Sequence, residues 1–121
     1  MHIKVVSVPV SDQEVAKRFY VEQVGMELLA DSRWGDDQRW IQVGTPGGQA
    51  SLTLVTWFDE MPAGSLRGLV LETEDLDRDV RAMTDRGVSF LGEITDEPSG
   101  RFATLRDPDG NRMSLRQADG R

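Results

Sequence analysis

Cysteine is absent from the 121 residues. Its absence removes disulfides, thiolate metal ligands and cysteine nucleophiles together. Histidine occurs once, as His2. Most His-based metal and triad chemistry is thereby lost, and His2 itself reads as part of a frayed terminus. No apolar run is long enough to span a bilayer, so no membrane association is expected. The opening stretch, Met1 to Val10, reads as a strand. It lacks a signal peptide's charged start, long apolar core and small-residue cleavage site, which predicts a cytoplasmic protein. Lysine appears only as Lys4 and Lys17, and the arginines are interleaved with acids. With a net charge of −7 no basic stripe survives, and nucleic acid is excluded as a partner. Hydrophobic residues at 38% and charged residues at 29% argue against wholesale disorder and for one small globular domain.

Local patterning carries more information. Ile3 to Val10 alternates, with Val6, Val8 and Val10 on one face, and predicts a strand. Ser11 to Glu14 has the form of a capping box, with Ser11 as the N-cap and a staple between Val10 and Val15. Val15, Ala16, Phe19, Tyr20 and Val24 follow a helical stripe, and Gly25 is a natural stop. This predicts a helix over about 12–23. Met26 to Ala30 reads as a short strand, Ser32 to Asp37 as a loop with a turn at Gly35-Asp36-Asp37. Arg39 to Val43 and Ser51 to Val55 alternate as strands around the Thr45-Pro46-Gly47-Gly48 turn.

Residues 59–65, with Met61-Pro62-Ala63-Gly64, form the best linker candidate, and the pattern then restarts. Arg67 to Thr73 predicts a strand. Asp75 to Arg86 predicts a helix with a solvated outer face, supported by Glu74–Arg78 and Asp77–Arg81 ion pairs. Val88 to Ile94, Phe102 to Arg106 and Arg112 to Arg116 predict three more strands, the last two joined by a type I turn at Asp107-Pro108-Asp109-Gly110. Each half therefore reads β-α-β-β-β, a duplication of pattern rather than of letters. The fold class is α+β, with units at 1–58 and 66–118 inside one domain spanning 1–121.

A unit this small cannot bury its sheet face alone, so each half needs the other or the half of a second subunit. The apolar strand faces should meet the helices. The opposite faces carry Trp40, Gln42, Ser51, Thr53, Glu72, Phe102, Thr104, Arg106 and Ser114. Polar groups with two aromatics suit a small-molecule pocket, and equally a solvated face. Trp40 and Phe102 are candidates for stacking, or for filling a dimer seam. Gln42, Thr53 and Ser114 are candidate hydrogen-bonders. Glu72 and Arg106 could orient a polar ligand or transfer a proton, or form a structural ion pair. Arg112 and Arg116 could attract an anion or reach past a sheet edge into water. Trp57 and Phe58 read as packing or interface residues.

Two β-α-β-β-β units in this length resemble the vicinal oxygen chelate superfamily, which includes glyoxalase I, bleomycin resistance proteins and extradiol dioxygenases. The landmarks are the first strand leading into Val10-Ser11-Asp12, Phe19-Tyr20, Val24-Gly25-Met26-Glu27-Leu28, and Asp107-Pro108-Asp109-Gly110-Asn111 before the closing strand. The resemblance implies incomplete barrels that enclose a cavity, and a homodimer. It also implies metal-ligand positions, which fall here on Val5, Thr53, Gly68 and Ser114. Valine and glycine offer no side-chain donor, and lone neutral hydroxyls bind transition metals poorly. The expectation is therefore a protein with no metal and no cofactor that binds a small organic molecule through Trp40, Gln42, Thr53, Glu72, Phe102, Arg106 and Ser114, with drug or metabolite sequestration as the family precedent. Other readings stay open at this point. One is a metal-free isomerase or lyase with Glu72 as base and Arg106 as stabiliser. Others are a metal-dependent enzyme with non-standard ligands and a dimeric module without a ligand.

Overall fold

A computed structural model describes residues 1–36 and 38–119. In chain order the first half comprises β1 (Val5–Pro9), α1 (Gln13–Arg18), a π-helical continuation over Phe19–Val24, β2 (Glu27–Trp34), β3 (Gln38–Gly44) and β4 (Ser51–Val55). The second comprises β5 (Leu69–Thr73), α2 (Leu76–Asp85), β6 (Ser89–Phe90), β7 (Thr95–Glu97), β8 (Gly100–Arg106) and β9 (Arg112–Gln117). Two separate mixed sheets result, with strand orders β1-β4-β3-β2 and β5-β9-β8-β6, and β7 also paired to β8. Each half opens with a strand that pairs in parallel with the last strand of the same half: Val8 with Leu54, and Leu71 with Leu115. The duplicated pattern is thus a duplicated topology, and neither sheet closes into a barrel.

One apolar face of each sheet meets the helices, as the alternation requires. Val8, Ile41, Val43, Leu52 and Leu54 from the first sheet join Ala16, Phe19, Tyr20 and Val24 from the helical segment. Leu105, Met113 and Leu115 from the second sheet join Leu76 and Met83 of α2, and the whole forms one continuous core. Phe19 and Tyr20 pack edge to face at 5.0 Å between centroids.

The halves are fastened by buried polar bonds. Tyr20 Oη donates to Asp107 Oδ2 at 2.8 Å. Asn111 Nδ2 donates to Asp107 Oδ2 and to the Pro9 carbonyl, while Asn111 Oδ1 accepts from Leu66 N–H. Burial, then the Asp107 charge, raises the Tyr20 phenol far above its ordinary range, so it remains a donor. Gly64 passes so close to this turn that a Cβ would lie 2.2 Å from the Asp109 carbonyl oxygen, and its φ of +87° suits glycine alone.

Several sequence expectations require correction. The N-cap is Asp12, whose Oδ1 accepts from Glu14 and Val15 N–H, while Ser11 is drawn away to Asp109 Oδ1 at 2.6 Å. Val15 is exposed and forms no buried staple. The expected loop over 32–37 is strand through Trp34, because Ser32, Arg33 and Trp34 pair with Trp40, Arg39 and Gln38. Asp37 of the expected turn lies outside the described residues. The strand expected over 88–94 stops at Phe90. Gly92, at φ +78°, follows, and β7 then resumes the pairing to β8. On α2 the expected i,i+4 pairs are replaced by Arg78–Asp79 and by Asp77–Arg101, the second tying the helix to β8.

Candidate functional site

On the first sheet the face turned away from the helix carries Ser7, Trp40, Gln42, Ser51 and Thr53. Gln42 lies opposite Thr53, and Thr53 opposite Ser7. Trp40 Nε1 donates to Gln42 Oε1 at 3.1 Å, Gln42 Nε2 to Ser51 Oγ at 2.7 Å, and Ser51 Oγ to the Lys4 carbonyl at 3.1 Å. This relay ends on a backbone atom and ties the Trp40 indole N–H into the sheet. The Ser7 and Thr53 hydroxyls lie 3.3 Å apart and bond to each other. Thr53 is only 1% exposed, so it supports the sheet and offers a ligand almost no surface.

Aromatic rings line up beside this relay. Trp40 stacks on Trp57 at 6.4 Å with 22° between planes, Trp34 tilts against Trp40 at 6.2 Å, and Phe58 follows Trp57 at 6.3 Å. Trp34 remains 56% exposed and Trp57 38%. Sequence reasoning missed Trp34 as a site residue because it lay in the expected loop. The missed signal was a tryptophan and Gln38 flanking a glycine turn, which as a hairpin brings Trp34 beside Trp40. Trp57, read as packing, is a stacking partner of Trp40. Ser51 was noted on this face but not counted among the ligand-binding residues.

The opposite face of β3 explains how Trp40 is carried. Arg39, nearly buried, donates from Nε and Nη2 to Asp31 and from Nη2 to Glu14. Lys17 Nζ adds a bond to Asp31 at 2.8 Å. Hydrogen bonds from Arg39, then Lys17, hold the Asp31 carboxyl well below the usual carboxylate range. Gln13 Nε2 donates to the Arg39 and Leu54 carbonyls, clamping α1 onto β3 and β4.

The second sheet's outward face differs. Phe102 lies beneath the Arg116 guanidinium, 5.5 Å from its ring centroid, and Arg116 Nη2 also donates to the Ser99 carbonyl. Thr104 faces Ser114, and Arg106 faces Arg112 directly across β8 and β9. Glu72 is exposed and its cross-strand neighbour is Arg116. The expected Glu72–Arg106 pair does not form: the two lie on rows four residues apart, about 13 Å along the strands. Glu72 is also not the buried carboxylate that a base role would favour. Of the named site residues, the fold unites Trp40, Gln42 and Thr53 on one sheet, and Glu72, Phe102, Arg106 and Ser114 on the other. Glu72 borders two clefts, one of about 510 Å³ with Glu22, Met26, Asp79 and Arg86 and one of about 310 Å³ that runs from Val6 and Ser51 of the first sheet to Leu69 and Val70 of the second, and Arg106 borders a third of about 410 Å³ with Phe19, Gln23 and Ser89. None of these three clefts is lined by both Trp40 and Arg106.

The four positions implied for metal ligands divide in the same way. Val5 and Thr53 belong to the first sheet, Ser114 to the second, and Gly68 precedes β5 with open space around it. Among the described residues no three His, Asp or Glu side chains converge.

The model of the glyoxalase/bleomycin resistance protein/dioxygenase superfamily matches residues 2–115. The chain belongs to that superfamily. Among solved structures of the same fold, TnmS3, described as an antibiotic binding protein from Streptomyces sp. CB03234, is 51% identical with a TM-score of 0.90 over 98% of this chain and 97% of that one. A glyoxalase/bleomycin resistance protein from the same Streptomyces strain is 52% identical, with a TM-score of 0.85 over 96% of this chain and all of the other. The uncharacterized protein YetH of Bacillus subtilis strain 168 is 36% identical over 95% of this chain and 97% of its own length. Superfamily membership accounts for the paired β-α-β-β-β sheets. It leaves the chemistry to the side chains on their outward faces. No helix among the described residues is long and apolar enough to cross a membrane.

Proposed function

We propose that this chain binds a small organic molecule reversibly, with the Trp34, Trp40, Trp57 row as the surface on which a flat ligand stacks. One observation carries the reading: an aromatic row left partly open to solvent while its central ring is fixed by a hydrogen-bond relay to the Lys4 carbonyl. A ring already immobilised loses little entropy on binding, and stacking contributes about 0.5–1.5 kcal/mol beyond area burial. The antibiotic-binding role named for the 51% identical TnmS3 supports the same reading, with drug or metabolite sequestration as its biological form.

The site is shared between two copies of the chain. Each copy offers an aromatic face and a polar, arginine-bearing face that it does not itself bring together. A homodimer placing one on the other encloses a cavity that neither copy has alone. Trp40, Gln42, Phe102, Arg106 and Ser114 then belong to one site, with residues 1–58 and 66–118 as its two building units. The donor set does not fit a divalent metal, since Val5 and Gly68 supply no ligand atom and the Thr53 hydroxyl is occupied by Ser7. Among the described residues the hydroxyls of the first sheet's face bond to one another, to Gln42 and to the Lys4 carbonyl rather than to a base, which supports holding a molecule over transforming it.

The test is titration of the purified protein against a panel of aromatic natural products, read by tryptophan fluorescence, beside sedimentation to establish the dimer. Trp40→Ala should weaken every hit at least about tenfold. Hits whose affinity ignores that substitution would sink the site assignment, and a monomer that binds at full affinity would sink the shared cavity.

A further inference from the structure

Arg106 and Arg112 are directly opposite on β8 and β9, on the outward face. Both are exposed, and among the described residues neither side chain has a hydrogen-bond or carboxylate partner. Two guanidiniums in this relation repel one another, with Cβ atoms about 5 Å apart. The chain carries 21 acidic residues against 14 basic ones, so counter-charge is plentiful. It is nevertheless directed elsewhere. Asp107 is taken by Tyr20 and Asn111, and Asp109 by Ser11. Asp77 and Asp96 are taken by Arg101. Glu72, on the same face, stands opposite Arg116, four residues along the strands from the pair. Arg116 is not part of the unsatisfied set, because Phe102 and the Ser99 carbonyl occupy it.

The next row presents Thr104 and Ser114, half-buried hydroxyls facing each other. Gly68, in line with Arg112 at the mouth of β5, has nothing within 4 Å of where a Cβ would be. The patch is therefore two forked cations, two hydroxyl donors and a gap in the side-chain wall. Guanidinium forks match the oxygens of a carboxylate, sulfonate or phenolate in a way that ammonium groups do not.

We propose that the Arg106–Arg112 pair is a specificity element that takes the anionic substituent of an aromatic ligand. This rests on the binding function proposed above and names its ligand class: a flat aromatic molecule carrying an acidic group. In the shared cavity the acid lies against the arginines of one copy and the ring against the tryptophans of the other.

A matched pair of fluorescent probes separates the two ideas. Anilinonaphthalene sulfonate and N-phenylnaphthylamine share their rings and differ in the sulfonate. The wild-type protein should bind the sulfonate probe at least about tenfold more tightly, and raising salt from about 50 to about 500 mM should erase most of that preference. The double variant Arg106→Gln/Arg112→Gln should bring the two affinities to near parity with a melting temperature no lower than that of the wild type. Arg106→Lys/Arg112→Lys should retain part of the preference. If N-phenylnaphthylamine binds, weakens in Trp40→Ala, and the sulfonate adds nothing, the arginine pair is overturned and the aromatic reading stands. If the preference follows the arginines while Trp40→Ala changes neither probe, the anion element stands and the aromatic row falls. Binding of neither probe overturns both.

Discussion

The two sheets share a topology and diverge in what their outward faces do. On the first, polar groups serve the aromatics. Gln42 and Ser51 are consumed in orienting Trp40, Ser7 and Thr53 satisfy each other, and the surface left to a ligand is ring area. On the second, the aromatic serves a cation. Phe102 is already covered by Arg116, and the surface left is a pair of free guanidiniums beside two hydroxyls. The apolar faces show no such contrast, since both sheets feed one core. The two halves therefore agree on the side that must pack and differ on the side that does not.

The largest loss of stability is expected at the buried clasp between the halves. Asp107 accepts from Tyr20, from Asn111 Nδ2 and from the backbone N–H groups of residues 109 and 111. Asp107→Ala strands these donors in a buried place and should cost about 3–5 kcal/mol in denaturant unfolding. Wild type should unfold in one transition, because the core is continuous. Two resolved transitions in the wild type would show the halves to be energetically separate.

A smaller effect is expected behind Trp40. Asp31→Asn removes the main partner of the nearly buried Arg39 and should cost about 2–3 kcal/mol. Its pH signature is specific. The folded-state pKa of Asp31 lies below its unfolded value, so its contribution is full above about pH 4 and lost as pH falls below that. The asparagine variant should lose less stability between about pH 4 and pH 2 than wild type does. Equal acid sensitivity in both proteins would assign the acid transition to other carboxylates.

How far the residues disclose this arrangement depends on the range of the interaction concerned. Alternation placed Ser51–Val55 and the core faces, because burial of one sheet face is a local, period-two constraint. Gly25 marked the helix end for an equally local reason, its φ of +97°. Long-range competition misled the reading elsewhere. Ser11 looked like the cap until Asp109, distant in sequence, claimed its hydroxyl. Trp34 looked like loop until β3 paired with it. The Glu72–Arg106 pairing failed because facing the same way says nothing about which row a residue occupies, and rows are set by register.

The contrast between the faces can be sharpened at single rings. Trp57→Ala removes an open ring stacked on Trp40, whereas Phe102→Ala removes one already capped by Arg116. Against a neutral aromatic probe the first should cost about 1–2 kcal/mol of affinity and the second under about 0.5. Comparable losses would mean that Arg116 swings aside to open Phe102, and that both sheets present ring area.

The smallest expected effect tests whether the relay orients Trp40 or only accompanies it. Gln42→Ala leaves the ring in place and removes the acceptor for its N–H, at a cost of about 0.5–1.5 kcal/mol in ligand affinity. Gln42→Glu retains an acceptor for the indole and loses the amide donor to Ser51. If orientation is what the relay supplies, the glutamate variant should keep the affinity lost by alanine while its own carboxylate stays near Ser51. If both variants bind as wild type does, packing against Trp34 and Trp57 suffices to fix the ring, and the polar chain beneath it belongs to the sheet rather than to the site.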